Sequence, residues 1–410
     1  MGNNGKKQDR RVVITGLGVI SSLGIGWQDF WENLTAGKSG ISRISSFDTS
    51  KYDRHYGGEV KDFHPEDYMD KRKIQYFDRA SQMAVVASKL ALNDSQMSEC
   101  DLKGRGAGVC IGTTMGEPQV MEGLNEKLFS KGKSLKVNRL AAATYPACSI
   151  SNNIANHFKI NGPNFVFSSA CAAGNYAILH AFHLLRTGKV ERMLAGGTDA
   201  LSRVAFTGFS RLFSMAPEKC QPFDKNRKGM LVGEGAGMVV METLEGAQKR
   251  GVTIYAEVLG GGLACDAHHM TDPSIEGISK AIQKSLLNSN ISVDEVDYIS
   301  AHGTGTRGND KAESLALNKV FGKKLRDIPV SSIKSMLGHT MGAASAIEAI
   351  VCCLVIKNGI IPPTINFEEP DPECHVDCTP NKSVQRKVNV ALNNSQAFGG
   401  NDACIVLSGC

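Results

Sequence analysis

Two stretches of this 410-residue chain, Cys171 to Arg186 and Gly342 to Lys357, are apolar on nearly every face of the helix that each predicts. A helix without a polar stripe cannot lie on a surface, so both must be enclosed. The first carries Ala172, Ala173, Tyr176, Ala177, Ile178, Leu179, Phe182, Leu184 and Leu185, and Gly188 just beyond it supplies a left-handed stop. Two enclosed helices need cover on both sides. A pair of sheets with the helices packed between them provides it.

The rest of the chain supplies those sheets. Short β-rich runs alternate with longer helical ones, the pattern of an α/β protein. Strands are expected at Arg11 to Thr15, Gly108 to Ile111, Asn164 to Phe167, Arg192 to Gly196, Gly237 to Leu244, Thr253 to Leu259, Val296 to Ala301, Pro329 to Ser332, Lys387 to Asn393 and Ala403 to Leu407. Further helices are expected at Phe77 to Asn93, Gly277 to Asn288 and Asp310 to Phe321. Val12 to Gly18 and Tyr255 to Gly261 each open a stretch with a strand ending in glycines, a faint internal echo. It predicts a first half over 11–260 and a second over 261–410, and the polar, basic residues 1–10 before them read as a short disordered lead. The glycine clusters Gly16-Leu17-Gly18 and Gly233-Glu234-Gly235-Ala236-Gly237 complete neither a dinucleotide fingerprint nor a P-loop, so they read as tight turns and close packing.

Several classes are set aside. The longest apolar stretch, Ile347 to Ile356, is interrupted by Glu348 and is too short to cross a bilayer, so no membrane span is expected. The polar, basic residues Met1 to Arg10 are followed by no apolar core, which argues against a secretory signal. Twelve scattered cysteines, mostly in apolar surroundings, fit a reducing cytoplasm. Cys374-His375-Val376-Asp377-Cys378 lacks the second cysteine pair of a zinc site, and no metal is expected. The net charge is +5, with basic clusters at Asp70 to Lys73 and Glu218 to Lys228. These are either ordinary solvated surface or a landing patch for an acidic protein; without interleaved aromatics they do not point to nucleic acid.

Chemistry concentrates where predicted strands end. Cys171, in Ser169-Ala170-Cys171-Ala172-Ala173-Gly174, stands at the start of the first enclosed helix. A helix start gathers unpaired N–H groups, which favour thiolate over thiol and offer donors to an oxyanion. A lone cysteine in an apolar segment usually only packs. Here His302-Gly303-Thr304-Gly305-Thr306 and Lys334-Ser335-Met336-Leu337-Gly338-His339 each follow a strand-like run directly, and cysteine, two histidines and lysine at strand ends make a candidate active site. His180 and His183, on the helix body, read as structural.

These blocks resemble the β-ketoacyl-acyl carrier protein synthases, the type II condensing enzymes of fatty acid and polyketide synthesis. The resemblance covers nearly the whole chain: Val13 to Gly18, Pro222-Phe223-Asp224, Gly233 to Gly237, Asp266 to Thr271 with Pro273, His302 to Thr306, Lys334 to His339 with Gly342-Ala343-Ala344, and Phe398-Gly399-Gly400. It implies a thiolase-like fold, two similar halves in a five-layer αβαβα sandwich, and a homodimer served by acyl carrier protein. It further implies that Cys171 takes an acyl group, that the N–H groups of Cys171 and Phe398 hold the oxyanion, and that His302 and His339 stabilise the enolate formed as malonyl-carrier protein loses carbon dioxide. Lys334 would orient the histidines with Glu348 as its acidic partner. Thr304, Thr306 and Thr271 would bind the pantetheine arm, Met115 would line the acyl pocket, and Asp266 and His269 would support the site from behind. No metal or redox cofactor is implied.

Departures from the family pattern carry information. The family's Asn-Ser-Phe-Gly-Phe-Gly-Gly-Thr-Asn is here Asn394-Ser395-Gln396-Ala397-Phe398-Gly399-Gly400-Asn401-Asp402. Gln396-Ala397 replaces Phe-Gly in the loop that gates acyl entry, and alanine lacks the conformational freedom of glycine. Altered gating is expected. It leaves open a specialised polyketide, polyene or unusual-lipid ketosynthase, while the intact Cys171 argues against a non-catalytic chain-length partner. The segment Gly208 to Phe213 is shifted against the family pattern, so Arg211 receives no role in carrier recognition.

Overall fold

Strand β1 (Val12–Ser21) is buried along its whole length. Helix α1 (Arg79–Asp94) lies so close to it that a Cβ on Gly16 or Gly18 would come within 2.1 or 1.9 Å of the carbonyl oxygens of Ala91 and Ala87. Those glycines are there for close packing, as the sequence indicates. The computed structural model describes residues 9–103, 106–131 and 139–410. Residues 1–8 of the lead lie outside the described residues, whereas Asp9 pairs with Arg186 and Arg10 with Glu191.

Four more strands complete the first sheet: β2 (Ala107–Gly112), β3 (Asn164–Phe167), β4 (Arg192–Asp199) and β5 (Gly235–Thr243). Their order is β3-β2-β4-β5-β1, and β5 runs antiparallel to both its neighbours. The second half contributes β6 (Ala256–Cys265), β7 (Tyr298–Ser300), β8 (Val330–Ser331), β9 (Val390–Ser395) and β10 (Asn401–Ser408). Their order is β8-β7-β9-β10-β6, with β10 antiparallel to both neighbours. Order and direction repeat strand for strand, which is the duplication that the sequence only hinted at. The repeat opens with β6, a strand that spans residues 260 and 261. The sheets join where Val12, Val13 and Ile14 pair antiparallel with Val258, Glu257 and Ala256.

Helices form the remaining layers. Helix α1 and α2 (Cys148–Phe158) cover the outer face of the first sheet, through contacts such as Met83, Val86 and Ile154 against Val109 and Ile111. Helix α3 (Ala173–Arg186) lies inside, and α4 (Arg203–Arg211) borders the site described below. Helices α5 (Ile275–Ser289) and α6 (Arg307–Phe321) cover the second sheet, with Ile278, Ile282 and Leu317 against Ile299 and Val406. Helix α7 (Ala344–Asn358) joins α3 in the centre, where Ile178, Phe182, Ile350 and Leu354 meet Val239 and Leu407 from the two sheets. This is the five-layer αβαβα sandwich of the thiolase-like fold. Met341–Asn358 is long and apolar enough to cross a membrane by length and composition, with mean hydropathy 1.5, yet 83% of it is buried inside the molecule. It is a core helix.

The central helices touch at Gly174, where a Cβ would come 2.6 Å from the Ala346 nitrogen and 2.8 Å from its Cβ. Gly174→Ala therefore forces the two apart and is expected to cost about 1–3 kcal/mol, the usual range for overpacking. A denaturation midpoint equal to that of the wild type would contradict this crossing.

Candidate active site

The chain leaves β3 at Phe167 and enters α3 through a tight turn, Ala170–Ala172, in which Ala170 has the left-handed φ of 50°. The turn delivers Cys171 at the helix start. Its counterpart in the second half is the turn Met341–Ala343 before α7, with Met341 at φ 52°. Gly342 there occupies the place that Cys171 holds in the first half. Non-glycine residues in this conformation are strained by about 1–3 kcal/mol and persist only where surrounding contacts hold them. The contacts are present: Asn393 donates to Asn175 Oδ1 at 2.9 Å and to the Ser345 carbonyl at 2.7 Å, and Asn175 N donates to Ser345 Oγ at 3.0 Å.

The histidines sit beyond the ends of β7 and β8. His302 and Gly303 donate their backbone N–H groups to the two carboxylate oxygens of Glu313 on α6, both at 2.8 Å. His339 donates its N–H to the Leu231 carbonyl at 2.7 Å and accepts from Gly233 N at 2.8 Å. So fixed, Cys171 Sγ and one nitrogen from each imidazole all lie within 4.8 Å of one another, with the two rings 5.2 Å apart at 81°.

Hydrogen bonding distinguishes the two imidazoles. His339 Nδ1 accepts the Met341 N–H at 3.1 Å, so in the neutral ring the proton rests on Nε2, which is left to donate. His302 Nδ1 is buried without a hydrogen-bond partner among the described residues. Burial, reinforced by the Lys334 ammonium, holds both histidines well below the ordinary imidazole range. They are neutral at pH 7. Lys334 forms a buried ion pair with Glu348, each 1% exposed, and burial pushes the Glu348 carboxyl up to about 7 against the pull of that lysine.

For Cys171 the structure corrects the sequence reading. The helix start favours a thiolate, but the side chain is only 7% exposed and burial pushes the thiol up to about 12, with Lys334 pulling the other way. Desolvation prevails, so the resting group is a thiol. Its proton must leave during attack, and of the two neutral imidazoles in reach only His302, whose nitrogens are not both committed, can accept it.

A cavity of about 300 Å³ opens onto this cluster. Thr304, Thr306, Thr271, Asp266, His269 and Phe398 all line it, and the Thr304 and Thr306 hydroxyls are 2.9 Å apart. Phe398, 38% exposed, packs against Phe209 of α4 with ring centres 5.8 Å apart and borders the cavity. Asp266 supports that loop, donating its backbone N–H to the Gly400 carbonyl at 3.0 Å. Met115 is not among the lining residues; it packs in an apolar cluster with Met230 and Met341. The cluster at Glu218 to Lys228 is not a free basic patch, because Lys219 and Lys225 pair with Glu368 and Glu369 while Arg227 is buried against Asp310 and Asp371. Cys374 and Cys378 are buried in the outer core of the second half.

Two acidic residues escaped sequence reasoning. Besides anchoring His302, Glu313 accepts from Asn394 Nδ2 at 2.8 Å. Asp199 accepts from Thr113 Oγ1 and Thr114 N, each at 2.7 Å, and from Gly342 N at 2.6 Å, which ties the end of β2 to the second turn. A signal for Glu313 was available: it lies on the buried face of α6, with Ala312, Ala316 and Leu317.

The chain belongs to the β-ketoacyl synthase family, whose N-terminal domain matches residues 9–247 and whose C-terminal domain matches residues 255–368. It is 39% identical over 407 residues to the 3-oxoacyl-acyl carrier protein synthase 2 of Synechocystis sp., covering 97% of this chain and 98% of the relative. Among solved structures it is similar to the ishigamide ketosynthase/chain length factor, with a TM-score of 0.96 and 42% identity over 98% of this chain and 100% of the other. A type II polyketide synthase ketosynthase, solved with its acyl-carrier protein and bound to the hexaketide, gives a TM-score of 0.90 and 32% identity over 98% and 100%.

Proposed function

We propose that the protein is a 3-oxoacyl-acyl carrier protein synthase that joins an acyl group held on Cys171 to the two-carbon unit of malonyl-carrier protein. The convergence of the Cys171 sulfur and two neutral imidazoles within 4.8 Å is the observation that carries this reading. In the first half-reaction the sulfur attacks an acyl thioester and the thiol proton passes by way of His302 to the departing pantetheine sulfur, while the N–H groups of Cys171 and Phe398 hold the oxyanion. In the second, the malonyl C–C bond breaks and carbon dioxide leaves. The electron pair moves onto the thioester oxygen, where His339 Nε2–H and His302 donate to it. The carbanion then forms a C–C bond to the acyl carbonyl, the bond to Cys171 breaks, and the sulfur regains a proton. Lys334 and Glu348 position the histidines, Thr304, Thr306 and Thr271 hold the pantetheine arm, and the chemistry needs neither metal nor redox cofactor.

The partner in this reading is acyl carrier protein. Twelve unpaired cysteines fit a reducing cytoplasm, and the edge strand β3, with Phe165 40% exposed, suits pairing with a second copy in a homodimer. The buried polar Gln396 in the gating loop favours a specialised polyketide or unusual-lipid pathway over bulk fatty acid synthesis.

Intact-mass measurement after mixing with acyl-carrier protein tests the first half-reaction. If wild type gains no acyl mass that Cys171→Ala lacks, the reading fails. Because the imidazoles stay neutral well below pH 6.5, carbon dioxide release from malonyl-carrier protein is expected to change less than about twofold between pH 6 and 8. A tenfold fall towards pH 6 that persists in Glu348→Gln, where the carboxyl pushed up to about 7 is gone, would mean that one of them protonates there.

A further inference from the structure

Helix α4 ends in a turn that destabilises the isolated chain in two ways. Phe213 has the left-handed φ of 52°, and its N–H donates to the Ser210 carbonyl at 3.1 Å while the N–H of Ser214 donates to the Phe209 carbonyl at 3.2 Å. These paired bonds close a helix at a position that glycine ordinarily fills, because a Cβ is strained there. Phe213 is also 92% exposed, so its ring covers nothing. A strained backbone carrying an uncovered apolar ring gains nothing within this chain and marks a surface that a partner covers. Its neighbours Leu212 and Ser214 both line the cavity that leads to Cys171, and Leu212 is 51% exposed. Met270 lines the same cavity at 68% exposure, and its carbonyl accepts the Gly399 N–H at 2.8 Å, beside Phe398. Phe398 in turn packs on Phe209 of α4, which joins the two apolar parts of the rim.

We propose that Leu212, Phe213 and Met270 form an apolar platform that seats the folded body of an acyl carrier protein. An acyl group that arrives on a tethered arm brings its carrier to the mouth of the cavity, so what surrounds the mouth touches the carrier. Charge on the rim suits the same partner. Arg211 and Arg307, each next to a residue of the cavity wall, are exposed and form no ion pair among the described residues, while Asp272 on that rim lies 3.9 Å from His268 Nε2. An apolar platform edged with free positive charge complements an acidic protein with an apolar face. The Glu218 to Lys228 cluster does not supply the anchor in its place, because Lys219, Lys225 and Arg227 are already paired within this chain. The anchor is apolar, and Phe213 is its most exposed element. It rests on the reading of Cys171 as an acyl acceptor, and the experiment separates the two.

Acylation of Cys171 is followed by intact mass with octanoyl-acyl carrier protein and with octanoyl-N-acetylcysteamine, which has the same acyl group and no carrier body. Phe213→Gly is expected to raise KM for the carrier substrate about tenfold at unchanged kcat, the effect of removing one apolar hot spot, and to leave KM for the small thioester within about twofold. Because glycine relieves the left-handed turn, the denaturation midpoint of this variant should match or exceed that of the wild type, so a docking loss cannot come from misfolding. Phe213→Tyr, which keeps the ring on the rim, should retain the wild-type KM. An unchanged carrier KM in Phe213→Gly overturns the platform, and a change in oligomeric state by sedimentation in its place gives the surface to a second copy of this chain. Failure of the wild type to take the octanoyl group from either substrate would instead overturn the reading of Cys171.

Discussion

Cys171→Ala is expected to lose acyl transfer and condensation by on the order of 10^4-fold or more while continuing to release carbon dioxide from malonyl-carrier protein. In the proposed reaction the two half-reactions draw on the cluster differently: the sulfur takes the acyl group, with His302 accepting its proton, and the imidazole N–H groups serve the enolate. His339→Ala should show the opposite pattern. Its Nε2–H is fixed as a donor by the Met341 N–H on Nδ1, so its loss removes one enolate contact and should slow decarboxylation by about 10^2 to 10^3, the range for a single oxyanion donor. His302 remains to take the thiol proton, and acylation should persist. Parallel assays of acyl mass and carbon dioxide release would show the split. Equal loss of both activities in Cys171→Ala would sink it.

The Lys334–Glu348 pair should respond asymmetrically to removal of either partner. Glu348→Leu strands an ammonium that is 1% exposed beside two imidazoles and is expected to cost about 3–5 kcal/mol. Lys334→Met strands a carboxyl that can protonate, since burial already pushes it up to about 7 with the lysine present. The folded carboxyl in that variant keeps its proton to a higher pH than the unfolded one, whose ordinary value is 4.5. Its contribution is complete below the unfolded value and is lost as pH rises through 7 and beyond. Denaturation at pH 6 and pH 8 should find Lys334→Met mild at the lower pH and worse at the higher, with the double variant Lys334→Met/Glu348→Leu recovering most of the loss. A Glu348→Leu variant no less stable than Lys334→Met at pH 6 would contradict the assignment.

Every strand read from the sequence is present, because runs such as Gly108 to Ile111 and Ala403 to Leu407 are short, apolar and bounded by turn residues. The enclosed helices are legible for the same reason: no exposed helix is apolar all round. Helices α2 and α4 were not, since Cys-Ser-Ile-Ser-Asn-Asn and Arg-Val-Ala-Phe-Thr-Gly are poor helix formers locally. Packing of Ile150 and Ile154, and of Phe206, imposes the helix there. The cluster of Cys171, His302 and His339 was legible because each lies in a block that opens just after a strand. What held it was not: Glu313 gathers His302 and Asn394, and Asp199 gathers Thr113 and Gly342, across separations that no local pattern records. The state of the Cys171 thiol was hidden for a related reason, since a helix start is visible in sequence and the depth of burial around it is not.

The sharing of one central layer by both halves governs how the chain emerges from synthesis. Helix α3 is finished long before α7 exists, and until α7 arrives one of its apolar sides has no cover. At the usual pace of translation the interval is on the order of ten seconds. For that time the nascent first half exposes the surface that later becomes the middle of the molecule, so the burden on chaperones falls between the making of Arg186 and the making of Asn358.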